Sequence, residues 1–457
     1  MATHSGKVTI DICGNWDYGR SLALDNSGNV FVAGYAYTGS NNDFAVIKLD
    51  PSGELATDFG GDGTGKITID ISGSSDYGQS LALDYTGNLF VAGYANTGSD
   101  YDFAVIKLDP SGELATDFGV NGKVTIDICN SSYSYPGDRG YSLALDNSGN
   151  VFVAGYAYTG SSTDFAVIKL DSSGVLATDF GSGTGKTTID FGGTWDYGYS
   201  LALDNSGNVF VAGNKSTDFA VIKLDSSGVL ATDFGSGTGK TIIDICGNND
   251  KGYSLALDDD GNVFVAGYAY TDSNNDFAVI KLDPSGELAT DFGGDGKVTI
   301  DICGSSDYGQ SLALDDDGNV FVAGYAYTGS NYDFAVIKLD PSGELATEFD
   351  GDGKVTIDFG GNDDYGYSLA LDDDGNVFVA GSAYTDIAVI KLTPTGELAT
   401  DFGELIPPPP PPPPPPPNPC PCPKINKASK QNTSTVIRQF SRAQVNSMRL
   451  RSGRRFR

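Results

Sequence analysis

Residues 311–325 read Ser-Leu-Ala-Leu-Asp-Asp-Asp-Gly-Asn-Val-Phe-Val-Ala-Gly-Tyr, two alternating apolar stretches on either side of an Asp-Asp-Gly-Asn turn. Period-two alternation around a glycine turn predicts a β-hairpin, with Gly318 taking the positive φ of a tight turn. The opening Ser-Leu-Ala-Leu-Asp recurs at Ser21, Ser80, Ser142, Ser200, Ser254, Ser311 and Ser368. The chain is therefore one module copied head to tail seven times. Near-identical modules place the same side chains at every equivalent position, whereas an active site needs one asymmetric cluster.

Each module holds four short alternating segments and no helix-period stretch. In the first they are Ser21–Asp25, Val30–Tyr35, Phe44–Leu49 and, after a long connection, Ile67–Ile71. Four-stranded antiparallel modules of this length stack as the blades of a β-propeller; the rungs of a β-helix are much shorter. The ends of the array support the same choice. The fourth-strand segment first appears at Val8–Ile12, ahead of any Ser-Leu-Ala-Leu-Asp, and last at Val355–Phe359, while the final triplet ends at Ile387–Leu392 without a fourth strand. The N-terminal strand is expected to complete that blade, closing the ring and removing exposed edges.

The run Asp364-Tyr365-Gly366-Tyr367 into SLALDDDGNVFVAG, then AVIKL, then Gly396-Glu397-Leu398-Ala399-Thr400-Asp401-Phe402-Gly403, resembles the delta-sixty repeat and the related seven-bladed β-propeller repeat. The resemblance recurs through residues 6–403. It implies a propeller of the kind common in bacterial surface or secreted proteins of unknown role, and it carries no catalytic signature. The expected fold is thus all-β: a seven-bladed β-propeller of four-stranded antiparallel blades over residues 6–403. An N-terminal arm (1–5), a proline-rich linker (404–423) and a basic, disordered tail (424–457) flank it.

Charge divides sharply along the chain. The tail from Lys424 to Arg457 has ten basic residues and no acidic one, against 18 basic and 60 acidic residues before it. The disc should attract cations or basic partners, and the tail nucleic acid or other polyanions. Arg438, Arg442, Arg449, Arg451, Arg454, Arg455 and Arg457 are the anion-binding candidates, since arginine forks suit phosphate and carboxylate. Docking of the tail on another copy's acidic disc is the self-association alternative. Eleven prolines, Pro407–Pro417, predict a polyproline II rod between disc and tail. No apolar h-region opens the chain and no stretch could span a membrane, so a cytoplasmic location is the default and a surface or particle location the alternative. Cys13, Cys129, Cys246 and Cys303 follow equivalent strands in different blades, too far apart to bridge, and are expected to be free and semi-buried. Cys420 and Cys422 could cross-link chains in an oxidising compartment.

His4 is the only histidine, and Arg20 and Arg139 are the only arginines before the tail. Histidine-dependent triads, histidine zinc sites and a three-arginine carboxylate clamp are thereby excluded. No catalytic residue, metal or cofactor is expected, and the chain is not expected to be an enzyme; a carbohydrate-active enzyme is the remote alternative. Asp25, Asp84, Asp146, Asp204, Asp258, Asp315 and Asp372 end the inner strands; a cation site near the channel mouth is the alternative reading, but the spacing does not match an EF-hand loop, and an aspartate opening a short polar turn to glycine is turn chemistry. The lysines ending the third strands, from Lys48 to Lys391, are expected to pair across strands with the fourth-strand aspartates Asp70, Asp127, Asp190, Asp244, Asp301 and Asp358. Lys391 is expected to face Asp11 across the closure.

The candidate surface comes from topology. Loops entering the innermost strand share a face with those joining the second and third strands, namely Asp17-Tyr18-Gly19 and Tyr35–Asn42 in the first module. Tyrosine interleaved with Asn, Asp and Ser suits adaptable recognition of a glycan or peptide; the alternative is that the rings pack between blades. The candidate ligand-binding residues are Asp17, Tyr18, Tyr35, Tyr37, Asn41, Tyr77, Tyr94, Tyr156, Tyr158, Tyr268, Tyr270, Tyr308, Tyr325 and Tyr327. The expected function is a multivalent binding or scaffold propeller anchored by a basic tail, with a self-assembling structural protein of a surface layer or particle as the alternative.

Overall fold

Alternation in each module folds as predicted, into a four-stranded antiparallel sheet whose two faces pack against the neighbouring sheets. The computed structural model describes residues 3–406 apart from 99, 130–136, 161, 194, 248 and 272–273. The proline run, Cys420, Cys422 and the tail arginines lie outside the described residues. Blade 1 runs outward through Asp17–Leu24, Val30–Tyr37, Asn42–Leu49 and Lys66–Ile69. Seven such sheets close into a ring, each inner strand contacting the next and the last contacting the first. The seventh is completed by the N-terminal strand Lys7–Ile10, antiparallel to Asp386–Leu392 with Lys7 opposite Ile390. Thr3–His4 then pairs with Leu405–Ile406. Among the described residues no helix is long and apolar enough to cross a membrane.

The repeated motif is explained by contacts between blades. In every module the serine hydroxyl accepts from the leucine N–H of the following blade: Ser21 from Leu81 at 3.0 Å, Ser200 from Leu255 at 2.9 Å, and Ser368 from Leu22 at 2.9 Å. Seven of these bonds run round the axis. A second ring surrounds the rim, where each fourth-strand lysine donates to a backbone carbonyl of the preceding blade. Lys66 reaches Asp11 at 2.9 Å, Lys354 reaches Asp301 at 2.8 Å, and Lys7 closes the circle on Asp358 at 3.0 Å.

The expected pairing of third-strand lysines with fourth-strand aspartates is incorrect. Lys48 Nζ meets Asp58 Oδ2 at 2.8 Å and Lys391 meets Asp401 at 2.9 Å, ten residues along the chain in each case. The reason is that the Glu-Leu-Ala-Thr-Asp-Phe segment is more than a connection. It turns back so that Ala56 N–H donates to Lys48 C=O at 2.9 Å. Phe59 is thereby buried edge-on against Phe31, ring centroids 5.9 Å apart, with the Lys48 ammonium 5.6 Å from the Phe31 centroid. All seven modules repeat this Phe pair.

Strand limits also differ from expectation. Asp17-Tyr18-Gly19 lies within the inner strand rather than in a loop, because a β-bulge between Gly19 and Ser21 resets the alternation. Tyr35–Tyr37 likewise belong to the second strand, leaving Thr38–Asn41 as the turn. Gly34 makes the bulge possible, since a Cβ there would collide with the Tyr18 carbonyl oxygen.

Candidate binding face

The start of each inner strand and the turn between second and third strands lie on one face of the ring. At the closure, Asp17 N–H donates to Thr385 C=O at 2.7 Å, bringing blade 7 beside blade 1. Register places tyrosines opposite one another. Tyr18 stacks on Tyr35 at 4.8 Å, Tyr77 on Tyr94 at 5.0 Å and Tyr308 on Tyr325 at 5.1 Å. Edge contacts then join blades, Tyr35 to Tyr77 at 4.9 Å and Tyr268 to Tyr308 at 5.0 Å. Nearer the axis, Tyr141, Tyr199 and Tyr253 follow one another at 5.3 and 5.0 Å, and Arg20 lies 4.1 Å from the Tyr367 centroid while donating to Tyr35 Oη at 3.3 Å. Arg139 lies 5.0 Å from both Tyr94 and Tyr101. The result is a tyrosine belt holding two guanidinium groups.

The candidate residues divide by exposure. Tyr94, Tyr156 and Tyr268 are buried and present little surface to a ligand, as is Asp17. Tyr18, Tyr35, Tyr77, Tyr308 and Tyr325 are half-buried in the belt, and Tyr37, Tyr158, Tyr270 and Tyr327 are half-buried at the ends of second strands. Asn41 donates to Ser74 C=O of the next blade at 2.6 Å. Three aromatics missed by the sequence reasoning are more open. Trp16 is 56% exposed, Tyr384 64% and Trp195 50%. The signal was available, because the only two tryptophans stand directly before Asp-Tyr-Gly. Trp195 lies nearly parallel to Tyr197, with centroids 6.4 Å apart.

The opposite face carries the Asp25-type turns, read correctly as turn chemistry. Asp25 Oδ1 accepts from Ser27 and Asn29 N–H at 2.8 and 2.9 Å, and Oδ2 from Asn29 Nδ2 at 2.7 Å. The four cysteines among the described residues are free, as expected, but only Cys129 is semi-buried; Cys13, Cys246 and Cys303 are exposed. A hollow of about 820 Å³ lined by Leu114, Val120, Val124, Val175 and Leu176 lies at the outer edge of blades 2 and 3, away from the tyrosines.

Aspartates on the tyrosine face are held in unusual states. Burial, reinforced by the nearby charges of Asp11 and Asp386, pushes the Asp17 carboxyl up to about 6 despite a bond from Ile12 N–H. Burial with Asp301 and Asp276 nearby pushes Asp307 up to about 7. Among the described residues, three aspartates at each of five seams between blades bring one carboxylate oxygen within 4.8 Å of the other two.

Family models match parts of the chain. One is described as a Beta-propeller repeat, over residues 303–333 and 355–387. The other is described as a domain of unknown function (DUF5122) beta-propeller, over 26–59, 147–180 and 259–292. The chain thus carries β-propeller repeats. No curated protein matches it. Among solved structures it is similar to virginiamycin B lyase from Staphylococcus aureus, at 10% identity and TM-score 0.51, over 84% of this chain and 99% of that one. A catalytically inactive form of that lyase with quinupristin gives 9% identity and TM-score 0.50, over 84% and 99%. A streptogramin B lyase gives 10% identity and TM-score 0.50, over 84% and 96%. At this identity the likeness shows the fold alone. It also overturns the expectation that the chain is not an enzyme, because lyases are built on this same fold and repetition of blades gives no ground for excluding catalysis.

Proposed function

We propose that this protein is a multivalent binding propeller that takes a glycan or peptide on its tyrosine face. The observation that supports the reading is the exposure of Trp16 and Tyr384 at the seam of blades 7 and 1, beside the stacked Tyr18 and Tyr35. Open aromatic faces supply apolar area for a sugar ring or an aromatic or proline side chain, and neighbouring amides and hydroxyls supply direction. Asn42 Nδ2 donates to Tyr77 Oη at 3.1 Å and Asn275 Nδ2 to Tyr308 Oη at 2.9 Å, so asparagines from one blade fix tyrosine hydroxyls of the next. Weak sites of this kind gain avidity when several engage together. The delta-sixty resemblance and the anchoring role of the tail belong to the same proposal.

Glycan and peptide arrays probed with the full chain test it. The expected result is a hit whose affinity falls at least tenfold in Trp16→Ala and Tyr384→Ala, with Tyr85→Ala, an exposed ring outside this face, as control. A hit that survives both substitutions would place the ligand elsewhere.

A further inference from the structure

We propose that two seams on this face, between blades 3 and 4 and between blades 5 and 6, each bind a calcium ion. The first is formed by Asp164, Asp190 and Asp196, the second by Asp276, Asp301 and Asp307. Each trio draws on three elements: the third strand of one blade, the residue following its outer strand, and the first residues of the next inner strand. The three carboxylate oxygens lie within 4.8 Å of one another. Oxygens this close can share one ion, and an all-carboxylate donor set with room for water suits calcium, which takes six to eight oxygens in flexible geometry, whereas magnesium demands a near-ideal octahedron.

The seams have buried oxygens with nothing to bind. Asp307 and Asp196 are 0% and 1% exposed. In each, Oδ2 accepts a backbone N–H, from Ile302 at 2.7 Å and from Phe191 at 2.8 Å. Oδ1 of each is buried without a hydrogen-bond partner. A bare carboxylate oxygen among other carboxylates is costly, and a hard cation removes the cost. Lysine supplies the charge only in part: Lys215, opposite Asp196, draws its carboxyl down without forming an ion pair. Lys354 and Lys240 donate to the backbone carbonyls of Asp301 and Asp190 at 2.8 and 2.6 Å, and none of the seven ion pairs among the described residues involves Asp164, Asp190, Asp196, Asp301 or Asp307. Asp190 and Asp301 are exposed, leaving an open side through which the ion enters and water completes its shell.

Two other seams show why the choice is specific. There the equivalent Oδ1 is already occupied: Asp76 accepts from Ser72 Oγ at 2.8 Å, and Asp138 from Tyr158 N–H at 3.2 Å.

Equilibrium dialysis of the chelator-treated full chain against radioactive calcium tests the proposal. Asp196→Asn and Asp307→Asn should each lose one bound equivalent, whereas Asp58→Asn, an exposed carboxylate outside the seams, should lose none. Terbium emission excited through Trp195, adjacent to Asp196, should vanish in Asp196→Asn, persist in Asp307→Asn, and be displaced by calcium. If either buried variant fails to fold by near-ultraviolet circular dichroism, Asp190→Asn and Asp301→Asn at the exposed corners replace them, with the same loss expected. No uptake by the unmodified chain, or uptake unchanged in the seam variants, overturns the proposal and leaves only diffuse counterions on an acidic surface.

Discussion

Ser200 shows how one side chain acts across a boundary. Its hydroxyl satisfies the N–H of Leu255 in the next blade, and both groups are shielded from water. Ser200→Ala should lower stability by about 1–3 kcal/mol, the usual cost of leaving a buried donor unpaired, measured by urea unfolding. Asp17 predicts a pH effect. Its folded carboxyl titrates near 6, above an ordinary value of 3.8, so the folded chain holds a proton that the unfolded chain has released. Its contribution is complete below about pH 4 and is lost as pH rises through 6. Asp17→Asn should flatten the fall in stability over that window, and an unchanged slope would sink the assignment. The lysine-bound Asp58 has the opposite sign, its carboxyl held below the ordinary value by the Lys48 hydrogen bond, so stability also declines under strongly acid conditions.

The element of most consequence is the segment that folds back behind each third strand. Phe234 is fully buried against Phe210, whereas Asp233 is mostly exposed where it meets Lys223. Phe234→Ala should therefore cost about 3–5 kcal/mol by creating a cavity. Asp233→Asn should cost under about 1 kcal/mol, because water screens the pair. Thermal unfolding of the two variants separates packing from charge as the purpose of the segment. Comparable losses would mean that the ion pair carries more than its exposure allows.

Across the whole molecule, closure depends on four residues of the N-terminal strand. Deleting residues 1–10 removes that strand and leaves Asp386–Leu392 as an open edge between buried neighbours. The truncated chain should sediment as aggregates and unfold at lower urea, since unpaired edges recruit further strands. A monomer of unchanged stability would show that closure is dispensable. If the basic tail docks on acidic discs, the full chain should form oligomers at low salt that disperse at high salt, and a chain ending at Gly403 should remain monomeric.

Repetition, alternation and the displaced first strand were enough for the sequence by itself to determine the blade count, the strand order and the closure. These are local patterns, and each module states them again. The turn role of Asp25 was legible for the same reason, since its hydrogen bonds lie within four residues. Only the tertiary structure decided that Lys48 meets Asp58, that Tyr18 belongs to a strand, and that Asp276, Asp301 and Asp307 converge. Those outcomes depend on a chain reversal, a one-residue bulge and the meeting of two blades. Period-two reading is blind to all three, because it fixes which way a side chain points and not what another part of the chain brings to meet it.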